Sequence, residues 1–301
     1  MRKTADLTLL SVSLVWGATF VTVQNAIAFL EPMSFNAIRF FIAFLLLLLI
    51  HLCFFRKEKR TNSWKLFAAG FKIGIWLYLG YTFQTIGLEY TTPSKAGFIT
   101  GLSVVLVPVF SMVFLKNRLT KNTVIGVTAA IIGLYLMTVS GKTAVNIGDF
   151  LVFLCAVSFA MQIITTAKYA AEFKALPLTI VQLLTVSLLS AGSGLIWEDF
   201  TAVFKADIIF QSDVISGLLI TSVLATAFAF LAQTYFQAYT TPSRVAIIFA
   251  MEPVFAAITS YIWIGEVMTV QAVIGCTFIL FGMLAAELPS RKEINKKTEF
   301  S

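Results

Sequence analysis

Glu252 stands about ten residues into a long apolar run and is followed by Pro253. A carboxylate at such depth can exchange a proton or hold a substrate amine. It can equally act as a structural hydrogen-bond acceptor for a neighbouring helix. Proline lacks an N–H, so Pro253 loosens the helix locally and exposes a carbonyl. Arg39, several residues into an earlier apolar run, is the cationic counterpart, suited to a substrate carboxylate, to a salt bridge, or to snorkelling toward the interface. Uncharged polar residues recur at similar depth. Tyr78, Tyr81 and Thr85 fall at i, i+3 and i+7, with Gln84 beside them, and so share one face of a helix that is polar enough to line a cavity. Trp16, Thr19 and Thr22 form a comparable stripe, and Gln162 and Gln233 sit in later runs. Singly, each can be interhelical glue worth about 1 kcal/mol; as a set they describe a lining for a small organic solute.

The elements that must position them are membrane helices. Of 301 residues, 58% are hydrophobic and 12% charged, and the mean hydropathy is +0.89. This is more apolar surface than a soluble domain buries in one core. A bilayer core of about 30 Å takes roughly 20 apolar residues per helix. The chain divides on that basis into ten expected spans: Leu7 to Leu30, Ser34 to Phe55, Leu66 to Leu88, Pro93 to Leu115, Thr123 to Val139, Asp149 to Tyr169, Pro177 to Trp197, Val214 to Ala238, Pro242 to Ile264 and Thr269 to Glu287. Spans so long and uniformly apolar are helices rather than barrel strands, giving an all-α integral membrane protein. Arg2 and Lys3 before a run containing Ala26-Ile27-Ala28 imitate a cleavable signal, but the run is too long for one.

Lys and Arg set the orientation. With the N-terminus inside, one side collects Arg2, Lys3, Arg56, Lys57, Lys59, Arg60, Lys65, Lys116, Arg118, Lys121, Lys168, Lys174, Arg244 and the basic tail from Arg291, whereas the other holds only Lys95, Lys142 and Lys205. Both termini are therefore expected to be cytoplasmic, in a multi-pass protein of the cytoplasmic membrane. The net charge of +7 is spread over helix-flanking loops and does not indicate nucleic acid. Lys72 is expected to snorkel, and Lys95 and Arg244 to lie at opposite interfaces, where they could close gates.

The chain repeats itself. Gln84-Thr85 returns as Gln233-Thr234 and Tyr90-Thr91-Thr92-Pro93-Ser94-Lys95 as Tyr239-Thr240-Thr241-Pro242-Ser243-Arg244, each 149 positions later; Gly126 with Gly275 and Gly133 with Gly282 keep the register. The halves are residues 7–139 and 149–287, followed by a cytoplasmic tail at 288–301. Five helices per half is an odd number, so the second copy is expected to enter the bilayer inverted. An inverted pair can exchange conformations and expose a midplane site to each side in turn. Thr92 and Thr241 can cap helices whose first residues are Pro93 and Pro242.

Trp16-Gly17-Ala18-Thr19-Phe20, Pro32 with Arg39, the two Tyr-Thr-Thr-Pro-Ser turns, Glu252-Pro253 and Gly265-Glu266 resemble the EamA family of the drug/metabolite transporter superfamily. The resemblance covers nearly the whole chain. It implies two EamA repeats of five helices and movement of small metabolites, often amino acids, across the cytoplasmic membrane. One departure is Lys116-Asn117-Arg118, where the family often places a Glu.

Other chemistries find little support. Gly141-Lys142-Thr143 lacks the glycine of a Walker loop at Leu136 and has no preceding strand. Cys53, Cys155 and Cys276 have neither metal nor disulfide spacing, and the single histidine, His51, sits near a helix end. No cofactor or metal is expected. The function these residues lead us to expect is a non-ATP secondary transporter, an exporter of an amino acid or related compound, with protons as a coupling ion. A channel or other duplicated membrane bundle is the alternative. Gly97 with Gly101 and Gly70 with Gly74 fit close packing within the chain, and a homodimer is the other surface such motifs can serve.

Overall fold

The computed structural model describes residues 2–55, 63–116, 120–139, 146–265 and 269–287. The cations Arg56 to Arg60, Arg118 and Lys142, the acid Glu266 and the tail at 288–301 lie outside the described residues. All the regular structure described is helical: α1 (Arg2–Ile27), α2 (Pro32–Phe54), α3 (Ser63–Gly87), α4 (Pro93–Leu115), α5 (Lys121–Val139), α6 (Ile147–Ala170), α7 (Ala175–Trp197), α8 (Ser212–Gln237), α9 (Pro242–Trp263) and α10 (Val270–Glu287). Eight of them, all but α5 and α10, are long and apolar enough to cross a membrane among the described residues. Helix α1 begins earlier than the expected Leu7, since its polar first turn continues the helix beyond the apolar run.

The Thr-Pro helix starts form as expected. Thr92 Oγ1 accepts from the Lys95 amide at 3.3 Å and Thr241 Oγ1 from the Arg244 amide at 3.4 Å, with proline in the first turn of each helix. Both helices then break at the same repeat position. In α4 the Leu102 amide reaches back only three residues, to Ile99, and in α9 the Met251 amide does so to Ile248, both at 3.1 Å. Pro253 supplies the cause in α9: it has no N–H to give the Phe249 carbonyl, so a new helical segment starts at Glu252.

Close packing relies on small residues, as in membranes, where helices associate through van der Waals contact. A Cβ on Gly17 of α1 would lie 2.5 Å from the Glu252 carbonyl oxygen of α9, and one on Gly74 of α3 would lie 2.5 Å from Thr185 Cβ of α7. Gly70 likewise faces Val181. These glycines seat helices of this chain on one another. Two repeat-related pairs, α4 with α9 and α5 with α10, run antiparallel. Gly97, early in α4, faces Pro253 and Ala256, late in α9. Gly133 of α5 faces Gly275 and Ile279 of α10, while Gly282 of α10 faces Gly126 and Ala130 of α5.

The α5–α10 crossing therefore leaves no room for a side chain. A Cβ at 133 would stand 2.5 Å from the Gly275 carbonyl oxygen, and one at 282 would stand 2.6 Å from that of Gly126. Both obstacles are backbone. Gly133→Ala or Gly282→Ala is expected to lower the unfolding temperature of the detergent-solubilised protein by several degrees, for a cost of about 1–3 kcal/mol. Gly192→Ala, where a Cβ meets nothing within 4 Å, is the control expected to leave it unchanged or raise it.

The two halves end their fourth helices alike, in left-handed backbone: Lys116 at φ 55° and Gly265 at φ 67°. That conformation strains lysine and not glycine. Lys116→Gly is expected to stabilise by about 1 kcal/mol in the same unfolding assay.

Candidate functional site

A cavity lies between α1, α2, α3, α4, α6, α8 and α9. Of the residues singled out from the sequence, Trp16, Thr19, Arg39, Tyr81, Gln84, Gln162, Gln233 and Glu252 all line it. Tyr78 does not. Its hydroxyl hydrogen-bonds Ser193 of α7, and Thr85 accepts from Asn36 Nδ2 of α2 at 3.0 Å. The expected polar face of α3 is thus divided, because α2 and α7 pack along it and consume two of its three residues as helix contacts. The cavity measures about 50 Å³, room for a few waters.

Sequence reasoning missed Phe20, Val23, Leu88, Thr100, Ser103, Phe159, Ile163, Phe230 and Phe249, which complete the wall. The repeat contained the signal for most of them. At the 149-residue separation Tyr81 matches Phe230, Gln84 matches Gln233, Thr100 matches Phe249 and Ser103 matches Glu252. For the first helices of each half the separation is 143: Trp16 matches Phe159, Thr19 matches Gln162 and Phe20 matches Ile163. The wall is built of equivalent positions whose chemistry has diverged, for Glu252 has only Ser103 opposite and Arg39 has Gln182 at its 143-residue counterpart.

Both charges are buried. Arg39 is 3% exposed; its Nε donates to Thr226 Oγ1 of α8 at 2.7 Å, its Nη2 to the Tyr81 hydroxyl at 3.3 Å, and its Cζ lies 4.7 Å from the Tyr81 ring centroid. Glu252, 8% exposed, sits in the first turn after the α9 break. Among the described residues neither has an oppositely charged partner within 4 Å, and the carboxylate of Glu252 accepts no hydrogen bond. Nearby, Gln233 Nε2 donates to Gln162 Oε1 at 3.0 Å, leaving the buried Gln233 Oε1 unsatisfied. Trp16 packs edge-on against Phe249, ring centroids 4.9 Å apart, and Tyr81 against Phe159 at 5.3 Å. A separated cation and anion, a spare acceptor and aromatic walls can together hold a small dipolar organic molecule.

Two ion pairs close the bundle above and below. Arg244 at the start of α9 clasps Asp6 at the start of α1, Nη2 to Oδ2 at 2.6 Å and Nε to Oδ1 at 3.1 Å. At the other end Lys95, at the start of α4, meets Asp149, at the start of α6, at 2.6 Å. Asp149 also accepts from Thr91 Oγ1 and caps α6 through Asn146. On the Lys95 side stand the acids Glu31, Glu89 and Glu198; burial and the charges of Glu198 and Glu31 hold the Glu89 carboxyl above its usual range. On the Arg244 side a wide groove of about 610 Å³ opens between α2, α7 and α8, past His51, Lys174 and Tyr239.

A helical membrane bundle with a cavity between two sequence-related halves, lined by polar and aromatic side chains, is an architecture suited to moving a solute across a membrane. The model of the EamA-like transporter family matches residues 3–139 and again 146–286. The chain belongs to that family. Asp6 and Asp149 each stand three residues after the start of a match. An uncharacterized transporter of Archaeoglobus fulgidus is 38% identical over 287 residues, 95% of this chain and 87% of its own length. The uncharacterized transporter YvbV of Bacillus subtilis is 26% identical, over 93% of this chain and 90% of its own. A solved crystal structure superposes with a TM-score of 0.77 over 95% of this chain and 98% of its own at 18% identity, a likeness of fold alone. The protein is a membrane transporter and not an enzyme.

Proposed function

We propose that this transporter is a secondary exporter of an amino acid or closely related zwitterion, working by alternating access across the cytoplasmic membrane. The observation that carries this reading is the pair of buried, unpaired opposite charges on one cavity. An isolated buried charge is costly unless a ligand completes it. Arg39 would take the substrate carboxylate, while Glu252 would take the ammonium. A proton and an ammonium then compete for one carboxylate, which couples proton entry to substrate exit.

Ten membrane helices arranged as two inverted repeats supply the mechanism. The antiparallel courses of α4 with α9 and α5 with α10 support inversion, and α5 and α10, 19 and 18 residues long, have the length to complete ten spans. The ion pairs Arg244–Asp6 and Lys95–Asp149 would be its inner and outer latches. Both latches are formed, and the cavity between them is narrow, in this conformation. Both termini then face the cytoplasm, where the wide groove between α2, α7 and α8 gives an exported solute room to collect.

The test is counterflow in proteoliposomes, with the twenty amino acids presented as labelled substrates against unlabelled internal pools. Saturable, trans-stimulated uptake of at least one is expected. Flux that rises linearly and shows no counterflow would replace the carrier with a channel.

A further inference from the structure

Helix α8 does not cross the cavity as a regular α-helix. From Thr221 to Phe228 it takes the wider π register, and such segments are uncommon and concentrate at functional sites. Two side chains from the other half of the molecule are anchored on it. The Trp16 indole N–H donates to the Ala225 carbonyl at 2.8 Å, and the Arg39 Nε donates to the next residue's hydroxyl, Thr226 Oγ1, at 2.7 Å. Thr226 is fully buried.

The other half of the repeat has none of these parts. Helix α3 stays α-helical over the equivalent stretch and has Leu77 in the place of Thr226. Phe159, with no N–H to donate, stands for Trp16, and Gln182, bonded instead to Thr234, stands for Arg39. The π segment, its indole donor, its hydroxyl acceptor and the guanidinium occur together on one side of the pseudo-symmetry and are absent together on the other.

We propose that the π segment of α8 is a mount for the substrate-binding cation, with Thr226 as the positioning residue that orients Arg39 and Trp16 as the brace that holds the register. Thr226 acts through Arg39 and does not touch substrate. A guanidinium fixed at Nε by Thr226 and at Nη2 by Tyr81 keeps its remaining N–H groups for a carboxylate, in the fork geometry that makes arginine selective for one. The wider register turns the Ala225 carbonyl toward the indole and brings the Thr226 hydroxyl within reach of Nε. This inference rests on the zwitterion reading and refines it: α8 sets the affinity for the carboxylate end of the substrate.

The experiment compares Thr226→Val, Thr226→Ser and wild type in detergent, measuring Kd for each amino acid that binds, for its α-amide, and for benzoate as a simple carboxylate. Thr226→Val keeps the side-chain shape and loses the acceptor. It is expected to weaken the amino acid and benzoate at least tenfold, to leave the amide within twofold, and Thr226→Ser is expected to restore most of the loss. Trp16→Phe, which keeps a ring but removes the N–H, should move the same ligands in the same direction. Equal weakening of acid and amide by Thr226→Val, or no weakening of either, would overturn the mount while leaving the zwitterion reading intact. Failure of wild type to bind any carboxylate would overturn both.

Discussion

Glu252→Gln is expected to abolish accumulation driven by a pH gradient. If one proton exchanges for one substrate, a gradient of one pH unit sustains about a tenfold concentration ratio, the equivalent of 1.36 kcal/mol. With glutamine at 252 there is no site at which proton and ammonium compete, and the ratio should fall to unity. Counterflow should weaken as well, since removing one member of a buried charge pair costs about 2–5 kcal/mol, or roughly 30-fold or more in affinity. The protein should still fold, because Glu252 has no ion pair to lose and its amide isostere fills the same space after the α9 break. A mutant that still concentrates substrate along the gradient would remove Glu252 from coupling and leave it a structural acceptor.

Breaking either latch is expected to bias the molecule toward one side, and the two substitutions should act in opposite directions. Arg244→Gln removes both hydrogen bonds to Asp6, and Lys95→Met removes the charge beside Asp149. Asp149 itself is the poorer target, since it also caps α6. The ion pairs are mostly buried, with side-chain exposures of 19% and 10% for Arg244–Asp6 and 19% and 6% for Lys95–Asp149. Each should therefore exceed the value of a surface bridge, at about 1–3 kcal/mol, enough to shift a two-state population about 5- to 150-fold. Spin labels at Leu7 and Tyr239 report one end and labels at Tyr90 and Phe150 the other, all at exposed positions. Arg244→Gln should lengthen the first distance and leave the second, and Lys95→Met should do the reverse. The exchange of charges Asp6→Arg with Arg244→Asp should restore the first distance. Lengthening of both distances by either substitution would mean a general loosening and not a latch.

Much of this could be read from the chain because the membrane constrains it so strongly. Uninterrupted apolar length identified the helices, and the Thr-Pro turns located the starts of α4 and α9 through ordinary capping. Polarity at depth found Arg39, Glu252 and four glutamine or threonine residues of the cavity, since lipid-facing positions tolerate none of them. Apolar wall residues such as Phe230 and Phe249 gave no such signal, for phenylalanine in a membrane helix is equally at home against lipid. Tyr78 misled for a related reason: a polar stripe shows that a face is not lipid-exposed, but a neighbouring helix satisfies it as well as a cavity does. The change of repeat separation from 143 to 149 concealed the match of Trp16 to Phe159 and of Asp6 to Asp149. The π register of α8 meets Trp16 of α1 and Arg39 of α2, and no local propensity in Thr221–Phe228 announces it.

In the proposed cycle one cavity is reached from both sides, though never from both at once. With Cys53, Cys155 and Cys276 replaced, Ser103→Cys places a single thiol on the cavity wall at the repeat counterpart of Glu252. A membrane-impermeant thiol reagent can then be applied to either face of sealed vesicles. Labelling is expected from each face in separate experiments, slowed by bound substrate, shifted to the cytoplasmic face by Arg244→Gln and to the outer face by Lys95→Met. Labelling from one face alone in the wild type and in both latch variants would contradict it.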